Sequence, residues 1–117
     1  MSEIATKFDW ENYPMVNPKH IMIEMEFSEQ QFLKLRKGFI PLQMEDKWFI
    51  YYDNEWLYFH RSWTGKGIYK TQINQKPGNC YFINSVWVER DKDNYENEDD
   101  NFDIDIFKFL VNKILLR

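Results

Sequence analysis

The spacing of apolar and polar residues changes along this chain, and the changes mark its elements. Residues 20–27, HIMIEMEF, alternate towards their end as a half-buried strand does. Residues 28–37 switch to helical spacing. Ser28 is a natural N-cap with Gln31 three positions on, Phe32, Leu33 and Leu35 supply an apolar face, and Gly38 closes the end. Two aromatic runs, residues 47–52 and 55–61, flank Asp53-Asn54, whose tolerance of positive φ suits a two-residue hairpin turn. That loop puts Trp48, Ile50 and Tyr52 on the same core-facing side as Leu57 and Phe59, pairing Trp48 with Phe59 and Ile50 with Leu57. Residues 67–73 and 80–88 read as two further strands about the turn Gln75-Lys76-Pro77-Gly78-Asn79. After a polar, acidic stretch, Phe102, Ile106, Phe107, Leu110, Ile114 and Leu115 recur at helical spacing to residue 116, behind a group of aspartates that favours a helix N-terminus. The expected fold is α+β, an antiparallel meander sheet of four to five strands packed by a short N-terminal helix and a C-terminal helix. Residues 1–117 form one domain, with residues 1–15 an irregular arm pinned by Phe8, Trp10 and Tyr13.

This register leaves Lys47, Phe49, Tyr51, Trp56, Tyr58 and His60 on the other face of the hairpin. Two readings stay open for that row of rings. It is either covered, by the arm or a second subunit, or it is an exposed aromatic platform for a ring-bearing ligand or a partner protein.

Composition narrows the function classes. A chain of 117 residues, 44% hydrophobic and 19% aromatic, is one folded domain whose core is built largely of rings. A net charge of −4 argues against general nucleic-acid binding, which needs a basic stripe to release counterions. The charge is uneven. Arg61, Lys66, Lys70 and Lys76 lie in an acid-free stretch, whereas residues 89–105 set many Asp and Glu against only Arg90 and Lys92. Cys80 is the single cysteine, which excludes an intrachain disulfide and a multi-cysteine zinc site. The first residues carry no apolar run after a basic start, and no later run reaches the ~20 apolar residues of a membrane helix, so a cytoplasmic protein without membrane contact is expected. No cofactor motif is present.

Candidate chemistry gathers at the end of the second aromatic strand. Tyr58, His60, Arg61, Ser62, Trp63, Thr64 and Lys66 bring an Arg fork, two hydroxyls, an ammonium and a glycine-flanked backbone next to rings, the groups that take phosphate or carboxylate. The spacing is not that of a P-loop or a dinucleotide fold. A structural reading competes, with Arg61 paired across the hairpin to Asp46. His60 is a candidate acid or base without an evident partner, and Cys80 reads as a small core residue rather than a nucleophile. The acidic segment lacks the glycine and glutamate of a calcium loop and reads as solvated.

The runs Met44-Glu-Asp-Lys-Trp-Phe-Ile-Tyr-Tyr, Trp56-Leu-Tyr-Phe-His-Arg-Ser-Trp-Thr-Gly, Val86-Trp-Val-Glu-Arg-Asp and Asp99-Asp-Asn-Phe-Asp resemble a small bacterial domain family. That family occurs alone or joined to or beside ADP-ribosylglycohydrolase-type domains and has no established activity. The resemblance implies a context, not a mechanism, and the hydrolase's metal-binding acidic motifs are absent. The leading expectation is a non-enzymatic binding or accessory module for a nucleotide-like or ADP-ribose-like anionic ligand, or for a protein that handles one. In it, Arg61 and Lys66 hold the anion, Ser62 and Thr64 orient it, and Trp63 or Tyr58 stacks on a ring. A second is a protein-directed adaptor, immunity or inhibitor protein using the aromatic face and acidic loop. The third is a small hydrolase centred on His60.

Overall fold

The computed structural model describes residues 4–117. Strand β1 (Pro18–Phe27) leads through helix α1 (Glu29–Lys37) to β2 (Trp48–Asp53), β3 (Trp56–Arg61), β4 (Gly67–Gln72), β5 (Asn74–Lys76) and β6 (Cys80–Glu89). Helix α2 (Asp100–Phe109) continues as a π-helical segment, Leu110–Leu115. The paired strands are antiparallel, in the order β1-β6-β4-β3-β2 with β5 also on β6. The chain therefore forms the expected α+β meander. β4 and β5 are successive parts of one antiparallel partner to β6, interrupted at Ile73, and β1 is added beyond β6.

Local chemistry sets the element ends. Ser28 and Gln31 form a reciprocal capping box at the start of α1, which satisfies two otherwise orphaned backbone donors. Gly38 ends that helix at φ 67°, and a Cβ there would fall 2.2 Å from the Ile50 carbonyl oxygen. Only glycine allows this approach, which lets Phe39 exchange two backbone hydrogen bonds with Ile50 and cover the outer edge of β2. Phe32 stacks on Tyr81 with ring centroids 4.0 Å apart and Leu35 is fully buried, but Leu33 is exposed. Leu33 lies about 100° around the helix from Phe32, outside the stripe that faces the sheet.

The β2–β3 turn corrects the expected register. Asn54 and Glu55, not Asp53 and Asn54, occupy the loop, with φ 49° and 75°. Trp48 consequently pairs with Arg61, Ile50 with Phe59 and Tyr52 with Leu57. Moving a two-residue loop by one position shifts each cross-strand partner by two, so every side chain keeps its face. Ile50, Leu57 and Phe59 expose no surface, while Trp48 and Tyr52 are half-buried. Phe107, Leu110, Val111 and Leu115 close the core from the helical side. The change to i→i+5 bonding, as from Leu116 N to the Val111 carbonyl, accompanies burial of Leu110, Val111 and Leu115. Phe102, expected on this stripe, is instead exposed at the first turn.

The other face of the hairpin is covered. Phe49 exposes no surface, Tyr51 and His60 are buried, and Ala5 and Ile40 pack with them. The arm is held by the Ala5 N–H to the Lys37 carbonyl, Trp10 Nε1 to the Ser62 carbonyl and the Tyr13 N–H to the Gly65 carbonyl. Phe8 does not share in this: it is 86% exposed. Among the described residues, no helix is long and apolar enough to cross a membrane.

Glu89, at the end of β6, binds the arm to the sheet. It is fully buried, and its carboxylate accepts the backbone N–H groups of Val16, Asn17, Arg90 and Asp91. Burial alone would raise its pKa, but these four donors outweigh burial and hold it below 4.5. A depressed carboxylate stabilises the fold above its ordinary value and ceases to do so as pH falls through the lower folded-state value. Glu89→Gln should cost about 1.5–3 kcal/mol at neutral pH and flatten the acid limb of the stability profile, read from urea melts across pH. In the core, Leu57→Ala should cost about 2–5 kcal/mol with unchanged m-value in the same melts.

Candidate functional site

The turn after β3 reverses the chain tightly. The Arg61 N–H donates to the Lys66 carbonyl at 3.0 Å and the Gly65 N–H to the Arg61 carbonyl at 2.8 Å. Gly65 has φ 77°, and a Cβ there would press on the Glu11 carbonyl and the Tyr13 ring. The turn is also tied to the chain before β2. The Ser62 N–H donates to the Lys47 carbonyl, Ser62 Oγ to the Asp46 carbonyl and Trp63 Nε1 to the Met44 carbonyl.

Strand alternation divides the expected site residues between two faces. Arg61, Trp63, Thr64 and Lys66 line one cleft of about 480 Å³ on the side of the sheet that carries α2. Tyr58 and His60 line a different cavity beneath the arm. Ser62 is buried, its hydroxyl donating to the Asp46 carbonyl, so it is a structural residue of the turn rather than a lining residue of the cleft. The cleft is completed by Lys47 and by Asn94, Tyr95, Glu96 and Asn97. Sequence reasoning missed the four after β6 because that segment reads as a solvated acidic loop, and it placed Lys47 on the opposite face with Phe49 and His60; Lys47 precedes the first residue of β2 and lines the cleft instead. The one available signal was Tyr95, an aromatic residue among acids and amides.

That loop is anchored by a buried polar hub. Asp103, fully buried on α2, accepts hydrogen bonds from Tyr69 Oη at 2.8 Å, Tyr95 Oη, and Asn97 Nδ2 at 2.9 Å. It also pairs with Arg90 at 2.7 Å, and Arg90 reaches Asp100 and the Asn97 carbonyl. Burial, then the bonds to Tyr95 and Asp103, push the Tyr69 phenol far above its ordinary range, so it stays a donor. The Tyr95 phenol is raised in the same way, by burial first and then by Asp103. Asp99 is the N-cap of α2, accepting from the Asn101 and Phe102 N–H groups. The acidic segment is thus partly helix cap and partly core. No group of three metal-ligating side chains gathers among the described residues.

Arg61 does not pair with Asp46. The Asp46 carboxylate caps the Leu42 N–H instead, and the Arg61 guanidinium lies 4.8 Å over the Trp48 ring, which itself stacks on Tyr69. Among the described residues, neither Arg61 nor Lys47 has a carboxylate within salt-bridge distance, and Lys66 Nζ is 2.9 Å from the Asp93 carbonyl oxygen. Three cationic side chains face a cleft in which Glu96 is the one acid.

Two further features lie outside the cleft. The large exposed apolar surface is not the aromatic hairpin face but a patch of Leu42, Met44 and Trp63 beside Trp10, around a hollow of about 540 Å³. Cys80 is half-exposed at the β5–β6 hairpin rather than in the core, with its thiol near the Gly78 carbonyl. No protein-family model, curated protein or solved structure matches this chain.

Breaking the hub should disturb both the fold and the cleft. Asp103→Ala removes one of the two carboxylates that pair with Arg90 and the shared acceptor of Tyr69, Tyr95 and Asn97, and should cost about 3–5 kcal/mol in urea melts, with new protease sensitivity between residues 91 and 99.

Proposed function

We propose that the protein is a non-enzymatic binding module for a small anionic, ring-bearing ligand, of which a nucleotide or an ADP-ribose-like compound is the best example. The observation that carries this reading is the excess of cations in the cleft: Lys47, Arg61 and Lys66 against Glu96, with Arg61 free of any carboxylate partner among the described residues. A planar guanidinium already oriented on Trp48 loses less freedom when it forms a bidentate bond to phosphate or carboxylate. Trp63 and Tyr95 offer ring surfaces at the same cleft, and the Thr64 hydroxyl and the amides of Asn94 and Asn97 offer neutral polar contacts.

A second reading is that the protein is an adaptor or inhibitor docking on another protein, including one of the ADP-ribosylglycohydrolase type. It is favoured by the 88% exposure of Leu42, 76% of Met44 and 70% of Trp63, large apolar side chains at one site. Trp63 borders both the apolar hollow and the cationic cleft.

Calorimetric titration with ADP-ribose, AMP and inorganic phosphate tests the first reading, and a ligand at about 100 times its dissociation constant should add about 2.7 kcal/mol to stability. Arg61→Ala should lose about 1.5–3 kcal/mol of affinity with the melt preserved, and Arg61→Lys should restore only part of it. Absence of binding by all three compounds, or binding that ignores Arg61→Ala, would remove the reading.

A further inference from the structure

His60 is the one buried side chain among the described residues with a polar atom left unpartnered. Its ring is 4% exposed, and Nε2 has no hydrogen-bond partner. Nδ1 lies 3.0 Å from the Gly65 carbonyl oxygen. A carbonyl only accepts, so Nδ1 carries the proton and Nε2 presents a bare lone pair. Burial lowers the pKa of the ring, with the Gly65 bond opposing, and the neutral, accepting form prevails at pH 7. A buried acceptor without a donor is costly and is rare in folded proteins.

The surroundings of this ring define what fits there. His60 lines a cavity of about 290 Å³ between the sheet and the arm, which Tyr51, Tyr58 and Met15 also line. Tyr51 stacks on Tyr58 at 4.8 Å and lies nearly parallel to His60 at 5.7 Å, and Phe49 stands 6.3 Å from His60. Of these rings, Tyr51, Tyr58 and His60 line the cavity, and Phe49 does not. An apolar cavity of about 150 Å³ already holds benzene, so the space suffices for one substituted ring. Gly67 is part of the design: a Cβ there would lie 3.0 Å from Met15 Cγ and 3.4 Å from His60 Cε1, crowding the cavity between strand and arm. Asp53, Lys7 and Lys70 supply polar groups to the same lining.

We propose that the cavity beneath the N-terminal arm is a second binding site, for a small planar ring compound whose O–H or N–H group donates to His60 Nε2. Stacking against the Tyr51 and Tyr58 faces orients the ring, and the single donor sets its direction. His60 Nε2 is itself closed to solvent, and Met15, half-buried, unbranched and carried by the arm, is the part of the wall able to move aside and admit the donor. The site lies on the opposite face of the sheet from the cationic cleft and does not depend on it.

The test uses phenol as probe and toluene, the same ring without a strong donor, as its control, titrated into the full isotope-labelled chain. Long-range proton–nitrogen spectra read the imidazole nitrogens, and His20, the only other histidine, serves as internal reference. Phenol should move His60 Nε2, leave His20 in place and bind about tenfold more tightly than toluene, the factor that one net hydrogen bond confers. His60→Phe keeps a ring but removes the acceptor, and should bind the two compounds equally. Arg61→Ala should bind phenol as the parent does, which separates this site from the anion cleft. If phenol leaves His60 unmoved, or binds no better than toluene, the proposal fails. Should His60→Phe not fold, the comparison of phenol with toluene on the parent chain still decides.

Discussion

Two consecutive residues at the end of β6 hold the molecule together. Glu89 collects the backbone donors of Val16, Asn17, Arg90 and Asp91, while Arg90 reaches Asp100, the buried Asp103 and the Asn97 carbonyl. One carboxylate therefore fixes the arm, and the neighbouring guanidinium fixes the C-terminal helix and the loop before it. Charges buried this deeply are stable only when every lone pair and proton finds a partner. Here Tyr69, Tyr95 and Asn97 complete the set around Asp103. The result is a defined geometry in the segment of the chain with the least apolar content.

That geometry creates both candidate sites. The arm, held at Val16 and Asn17, lies over the Tyr51–Tyr58–His60 face and encloses the cavity there. The loop, held through Arg90 and Asp103, brings Tyr95 and its flanking amides opposite Arg61 and Lys66. The β3–β4 turn stands between them, sending Arg61 to one face and His60 to the other. Adjacent residues with similar polar chemistry thus belong to unrelated sites because a strand alternates its faces.

Electrostatics separate the two sites further. The cleft has cations without matching acids and walls open to solvent, which suits an anion arriving from water. The cavity under the arm sets the neutral His60 acceptor beside Tyr51 and Tyr58, with Asp53, Lys7 and Lys70 also in its lining, which suits a polar ring compound that donates. The apolar patch of Leu42, Met44 and Trp63 adjoins the cleft at Trp63, so a ligand in one and a protein on the other would share a side chain. This adjacency makes Trp63 a wall of both the cleft and the apolar hollow.

Much of the architecture was legible in the chain because it rests on local periods and turn chemistry. The capping box at Ser28, the strand alternation and the apolar spacing about Phe107 and Leu110 each act within a few residues, and each appears where the pattern placed it. The face of every residue in the β2–β3 hairpin was legible too, although its partners were not: period-two alternation survives a one-residue displacement of the turn, and cross-strand pairing does not. The density of donors from Arg61 to Lys66 pointed to one side of the cleft for the same local reason. Only the tertiary structure decided the rest. Asp103 and Glu89 read as members of the acidic segment until partners as distant as Tyr69 and Val16 turn them into buried anchors. Tyr95 becomes a cleft wall only through Asp103, Arg61 gives up Asp46 for the face of Trp48, and His60 loses solvent because an arm some fifty residues earlier folds across it. These are long-range pairings of polar groups, and no local period carries them.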